Sequence, residues 1–215
     1  MDMWNNQFIR GSGYEHINYA MTNSDSFVEV RTTNVKGHFT VSTPITIPEI
    51  LQSQVKHHGN FWTVRLHHLT SLTPISSQKL VYVVFPTCGH VNVSGIKDFN
   101  ECDIAKLEFE RLFDVRALSA FNIDNSTSCG KLPFASLDLL KLYSLVVSGQ
   151  GPAFPCTISI RPHYFPSVLL RPKHCHQIST SILFTNGKFL VIGAKSPAQT
   201  ARTVHNLQQL VYASL

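Results

Sequence analysis

The stretches VVFPTCGHVNVSGIK at residues 83–97 and ILFTNGKFLVIGAK at residues 182–195 decide the fold. Each runs through an apolar segment, a turn closed by a glycine (Gly89, Gly187), a second, alternating segment, another glycine (Gly95, Gly193) and a lysine (Lys97, Lys195). Alternation is the period of a strand with one buried face, and a glycine between two such runs marks a hairpin. The stretches lie about 98 residues apart and the elements around them recur in the same order, so the chain reads as a tandem duplication with a pseudo-twofold axis.

Upstream of the first stretch, Phe27, Val28, Val30, Phe39 and Val41 alternate as a long half-buried strand. Pro48 then opens a short helix that Gly59 ends, and residues 61–69 and 79–85 read as strands. Downstream, Ile104, Ala105, Leu107, Phe109, Leu112 and Phe113 repeat at helical spacing over about four turns. The second half follows the same order: a strand from Phe121, a helix over 138–147, strands over 157–160, 167–171, 179–184 and 189–192, and a closing helix over 198–211. Residues 1–26, polar and without a period, read as an N-terminal tail, which leaves repeats over 27–115 and 116–215. The predicted class is α+β: two sheets, each with helices on one face only, joined into one long antiparallel sheet whose opposite face is bare.

Composition narrows the function. Hydrophobic residues make up 43% of the 215 and charged residues 14%, which excludes a disordered chain. No apolar run approaches a membrane span, and the amino terminus lacks the basic start and apolar stretch of a signal peptide, so a soluble intracellular protein with no membrane partner is expected. Cys88, Cys102, Cys129, Cys156 and Cys175 are scattered, with no Cys-x-x-Cys, and read as free thiols. The excess of 18 Lys+Arg over 13 Asp+Glu favours a polyanionic partner. There is no phosphate loop and no Gly-x-Ser-x-Gly, and neither Cys102 nor Cys156 has a nearby histidine in sequence to activate it. No enzyme, cofactor or small-molecule substrate is expected. His174 and His176 could share an ion across one strand face, but no third ligand is evident, so no metal site is expected either.

The paired segments resemble the Phe-x-x-Gly-Lys…Thr-Gly-Ala-Lys signature found in each half of the TATA-box-binding protein (TBP) family. The resemblance covers about residues 28 to 213. Asn34 and Asn125 sit on the first strand of each repeat, Phe61 and Phe165 begin a later strand, and Phe85 and Phe184 precede the glycine turn. A lone Phe at a strand end is ordinarily core and a lone Asn ordinarily belongs to a turn; their repetition in both halves favours the functional reading. The resemblance implies a saddle, a curved antiparallel sheet with helices on its convex face and the DNA minor groove on its concave face. Phe61 with Phe85, and Phe165 with Phe184, are implied as wedges that unstack base steps and kink the duplex. An A·T minor groove shows only acceptors, so a reader needs donors, and an Asn amide brings two. The implied base contacts are Asn34, Lys36, Asn92, Ser94, Asn125, Thr127, Leu190 and Ile192. Strand alternation sets Lys36 and His38 beside Asn34, and Thr127 and Cys129 beside Asn125, on a face with little charge apart from Lys36. Phosphate contacts would come from Arg171, Lys173, Lys188 and Lys195 in the second half, and from His67, His90 and Lys97 in the first.

Several residues depart from the family pattern. Ile192 stands where the signature has Thr, so discrimination under the second repeat is expected to rest on groove shape and step flexibility. Lys36 and Asn92 replace groove-facing valines. Arg161, His163 and Tyr164 fall where the family has an acidic loop that docks transcription factor IIB, and Glu108 and Glu110 lie on a helix that is basic in the family. These changes point to altered protein partners and to a distant paralogue or a virus-encoded version serving late gene expression. The implied function is a nuclear transcription initiation factor. It would bind and bend A/T-rich double-stranded promoter DNA through the minor groove and recruit initiation proteins or an RNA polymerase complex. The competing reading is a TBP-fold protein-interaction module or competitor with little DNA affinity.

Overall fold

The computed structural model describes residues 17–19, 28–67, 79–150, 156–160, 166–173 and 177–215. In chain order these form β1 (Ile17–Tyr19), β2 (Val28–Thr40), a 3-10 helix (Glu49–Gln54), β3 (Val55–His58), β4 (Phe61–His67), β5 (Lys79–Phe85) and β6 (His90–Ile96). A 3-10 turn (Phe99–Glu101) leads into α1 (Cys102–Phe113), followed by β7 (Asn122–Lys131), α2 (Leu139–Val147), β8 (Cys156–Ile160), β9 (Ser167–Pro172), β10 (Thr180–Phe184), β11 (Lys188–Ala194) and α3 (Pro197–Ser214). Strand, helix, four strands, helix thus occurs twice, from β2 to α1 and from β7 to α3. The chain divides into unit I, residues 32–126, and unit II, residues 1–31 with 127–215, the boundaries falling inside β2 and β7.

In unit I the strand order is β3-β4-β5-β6-β2-β7, with antiparallel ladders from β3 through β2. α1 covers one face. Its buried stripe, Cys102, Ala105, Phe109 and Phe113, joins Val35, Phe39, Tyr82, Val84 and Val93 in one core. Phe109 meets Phe39 edge-on at 5.6 Å and stacks on Phe113 at 4.3 Å. Tyr82 is fully buried, so its hydroxyl needs a partner, and it donates to the Ala105 carbonyl at 2.9 Å. Burial, reinforced by the charge of Glu108, pushes the Tyr82 phenol well above its usual range. Leu107, expected on the inward stripe, is 59% exposed; at 100° per residue it lies opposite Ala105 and Phe109.

In unit II the order is β2-β7-β11-β10-β9-β8, and β1 pairs with the first residues of β2. Leu142 of α2 and Leu207, Leu210 and Val211 of α3 form its core with Leu170, Leu183 and Phe189. Both helices start on capping side chains that satisfy otherwise orphaned N–H groups. The Asp138 carboxylate accepts from the Leu140 and Lys141 N–H groups at 3.0 Å each, and Ser196 Oγ accepts from the Gln199 N–H.

Two strands depart from the sequence reading. β1 lies inside the segment read as a tail. β3 lies where the helix was expected to run on to Gly59: the helix is 3-10, it ends at Gln54, and Gly59 falls between β3 and β4. An edge strand as short as Val55–His58 carries no apolar alternation, so its period is invisible in sequence.

β2 also does more than alternate. Val28 and Val30 are buried in the core of unit II, whereas Val35, Phe39 and Val41 are buried in that of unit I, so the inward positions change from even to odd along one strand. On β6, opposite β2, the register slips: Val35 faces Ile96 but Gly37 faces Val93, which leaves Ser94 and Gly95 against Lys36 alone. Gly95 takes φ +96°, and a Cβ there would fall 2.2 Å from the Lys79 carbonyl oxygen. Gly193 repeats this backbone conformation at φ +93°.

Two substitutions test this packing. Gly59→Ala, with open space around the new methyl, should cost about 1 kcal/mol for its left-handed backbone. Gly95→Ala should cost a further ~1–3 kcal/mol because the Lys79 backbone must move; equal urea midpoints for the two variants would contradict this. Gln208 on α3 is fully buried, and neither of its side-chain polar atoms has a hydrogen-bond partner among the described residues. Gln208→Met should therefore raise stability by about 1 kcal/mol or more, read from the same denaturation curves.

Candidate nucleic-acid interface

The face of each sheet that points away from the helices is built from every second residue of its strands. In unit I, register places His38 opposite Asn92, Asn92 opposite Val83, Val83 opposite Thr63 and Thr63 opposite Lys56. All five are half-buried or exposed, while their chain neighbours Phe39, Val91, Val93, Val84 and Val64 are buried. Ser94, opposite Val81, belongs to the same face, as do Lys36, Arg65 and Lys79. The sequence reading expects little charge here apart from Lys36. Register corrects that, adding Lys56, Arg65 and Lys79, and one acid, Asp124 of β7.

A run of rings crosses this face. Phe61 and Phe85, far apart in sequence, lie with centroids 5.6 Å apart. His58 stacks on the outer side of Phe61 at 5.0 Å, and His90 follows Phe85 at 6.1 Å and meets His38 at 5.1 Å. His38 Nδ1 then bonds Asp124 Oδ1 at 2.9 Å. Sequence reasoning missed His58, because β3 was not recognised, and missed Asp124, because its partner is 86 residues away.

Asn34 is held by the bulge. Its Oδ1 accepts from the Gly95 N–H at 2.8 Å. A backbone N–H only donates, so the bond settles which end of the amide is oxygen and leaves the two Nδ2 protons for another acceptor. Asn125 and Thr127 lie half-buried on β7, on either side of buried Ser126. His67 is the last residue of β4, opposite Lys79, and Lys97 directly follows β6.

The corresponding face of unit II is more apolar. Ser159 faces Leu169, Leu169 faces Ile182, and Ile182 faces Leu190, with Ile192 opposite Thr180. Phe184 is half-buried opposite Ser167, and it borders an open groove of about 950 Å³ together with Arg31, Cys129, Lys131, Lys188 and Leu190. Arg171, Lys173, Lys188 and Lys195 are exposed. Phe165, Arg161, His163 and Tyr164 lie outside the described residues, as do His174, Cys175 and His176.

Glu108 and Glu110, read from sequence as a partner-facing acidic pair, are engaged within unit I. Glu108 pairs with Arg111 through bonds of 2.8 and 3.2 Å, and Glu110 Oε1 accepts from the Ala117 N–H at 2.6 Å. Among the described residues no three His, Cys, Asp or Glu side chains converge to hold a metal ion, and no helix is long and apolar enough to cross a membrane.

Two repeats of strand, helix, four strands and helix, with antiparallel ladders and helices on one face, define the α+β class of the TBP-like fold. Among solved structures, Methanococcus jannaschii TBP is similar at a TM-score of 0.61 and 15% sequence identity, over 85% of this chain and 98% of that one. No family model matches the sequence, and no curated protein matches it.

Two thiols of unit I differ in reactivity. Burial, with Asp103, Asp98 and Glu101 adding negative charge, pushes the Cys102 thiol up to about 12, whereas Cys88 is exposed in the turn after Phe85. At pH 8 a pKa near 12 leaves on the order of one Cys102 in ten thousand as thiolate. Iodoacetamide at pH 8 should therefore modify Cys88 within minutes and spare Cys102, as peptide mass mapping would show.

Proposed function

We propose that the chain is a TBP-like transcription initiation factor that binds A/T-rich promoter DNA through the minor groove and bends it. The observation that supports this most directly is the helix-free face of unit I, where the Phe61–Phe85 ring pair shares a face with an Asn34 amide whose oxygen is taken by the Gly95 N–H. Donors answer the adenine N3 and thymine O2 acceptors of the groove floor. The rings form an apolar wedge for a base step, and the cost of unstacking is offset by the wider contact that a bent duplex permits. In unit II, Phe184 with Phe165 takes the same role, Leu190 and Ile192 lie flat against the floor, and Arg171, Lys173, Lys188 and Lys195 meet phosphates. Residues 27–115 and 116–215 act as repeats, each meeting half of the element. The helix layer receives initiation proteins or an RNA polymerase complex, and the site of action is the nucleus.

One observation favours a second reading, a protein-interaction module with little DNA affinity: the Asp124 carboxylate lies on the face that would meet a groove of negative potential. A gel shift with A/T-rich duplex at two salt concentrations separates the two. A DNA binder loses about 0.9 log units of affinity per log of salt for each phosphate neutralised, and an interaction module shows no shift at either concentration.

The wedge and the reader have distinct signatures. Phe61→Ala combined with Phe85→Ala should reduce the bend, read by end-to-end fluorescence transfer, more than it reduces non-specific affinity. Asn34→Asp keeps an oxygen for the Gly95 N–H but removes both donors and adds a charge, so A/T affinity should fall by about tenfold or more. An unchanged bend in the double variant would assign both rings to packing alone.

A further inference from the structure

The two helix-free faces differ at corresponding positions. Resting on the DNA-binding reading above, we propose that this difference selects bases: Asn92, with His38 and Asp124, lets unit I accept a G·C pair, while Leu190 restricts unit II to A·T pairs. In the minor groove A·T and T·A show only acceptors, whereas G·C adds the guanine N2 amino group, a donor that projects from the floor. A face that meets guanine must offer an acceptor. Aliphatic side chains pressed on the floor offer none and leave the amino group desolvated and unpaired.

Asn92 and Leu190 hold the same place in the paired hairpins, each the third residue after the turn glycine (Gly89, Gly187). On the β10 side of Leu190 the row continues through Ile182 and Leu169, with no acceptor side chain before Ser159 at the sheet edge. Around Asn92 the row continues to Val83 on one side and His38 on the other. The Asn92 side chain is half-buried and bonds to no described residue, so its amide is free to turn either its oxygen or its nitrogen outward. His38 holds Asp124 through Oδ1 at 2.9 Å, and Oδ2, bonded to no described residue, is a further acceptor. A carboxylate on a groove-facing surface is unfavourable against A·T acceptors; a guanine amino group supplies the donor that it lacks.

The test is anisotropy titration of the full chain with an A/T-rich duplex in which each pair in turn is replaced by G·C or by inosine·C, which pairs as G·C but lacks the N2 amino group. Wild-type protein should tolerate G·C within about twofold in one half-site. In the other half-site G·C should weaken binding about tenfold or more, and inosine·C should restore it. Asn92→Leu should impose the tenfold G·C penalty on the tolerant half, measured against the same variant's affinity for the all-A/T duplex, with an unchanged melting temperature as the control for folding. Leu190→Asn should relieve the penalty in the restrictive half. Equal G·C penalties in both halves of the wild-type site, or tolerance that survives Asn92→Leu, overturn this inference and leave the DNA reading standing. A wild-type protein that binds no duplex removes the DNA reading and this inference with it.

Discussion

Side chains on a strand alternate between two faces, and in each unit the helices cover one of them. On the covered face of unit I, Val35, Phe39, Tyr82, Val84, Val91 and Val93 are excluded from water almost completely, and burial of this kind supplies most of the stability that a small sheet has. The neighbours of these residues, Lys36, His38, Val81, Val83 and Asn92, are left half-buried or exposed by the same geometry. Packing within the protein does not dictate what they are. Half-buried apolar positions in rows, ringed by lysine and arginine, are the composition of a surface that meets something else.

The backbone that pairs β2 with β6 also sets the chemistry of the open face. A glycine is required at position 95 because the carbonyl of Lys79 occupies the space of a Cβ, and the N–H freed by the bulge is the one that orients the Asn34 amide. Packing of strand on strand and presentation of a donor pair are therefore one feature. The run from His58 through Phe61, Phe85, His90 and His38 to Asp124 likewise ties five strands of the sheet and β7 by rings and one hydrogen bond, so the Phe61–Phe85 pair is braced on both sides.

The two halves share an order of elements and differ in side-chain chemistry. Unit I has a 3-10 turn where unit II has the capped helix α2, and a polar row through Asn92 and His38 where unit II has Leu169, Ile182 and Leu190. The hairpins recur in both, as does the positive φ of the glycine near the end of the second strand (Gly95, Gly193), while the open-face positions have diverged independently.

What could be read from the sequence was whatever depends on neighbours along the chain. Period-two alternation around Gly89 and Gly187 and the helical spacing before Phe113 are local properties of the backbone, and they determine the duplicated α+β order. The pairing of Phe61 with Phe85 was legible only through the family resemblance, which implied it. Tertiary structure alone decided the rest. β3 was hidden because a four-residue edge strand has no period, and His58 was hidden with it. The change of phase in β2, the Asn34 bond to Gly95 and the His38–Asp124 pair all require knowing which strand lies opposite. That depends on register carried across loops, and a shift of one residue would send every one of these side chains to the other face.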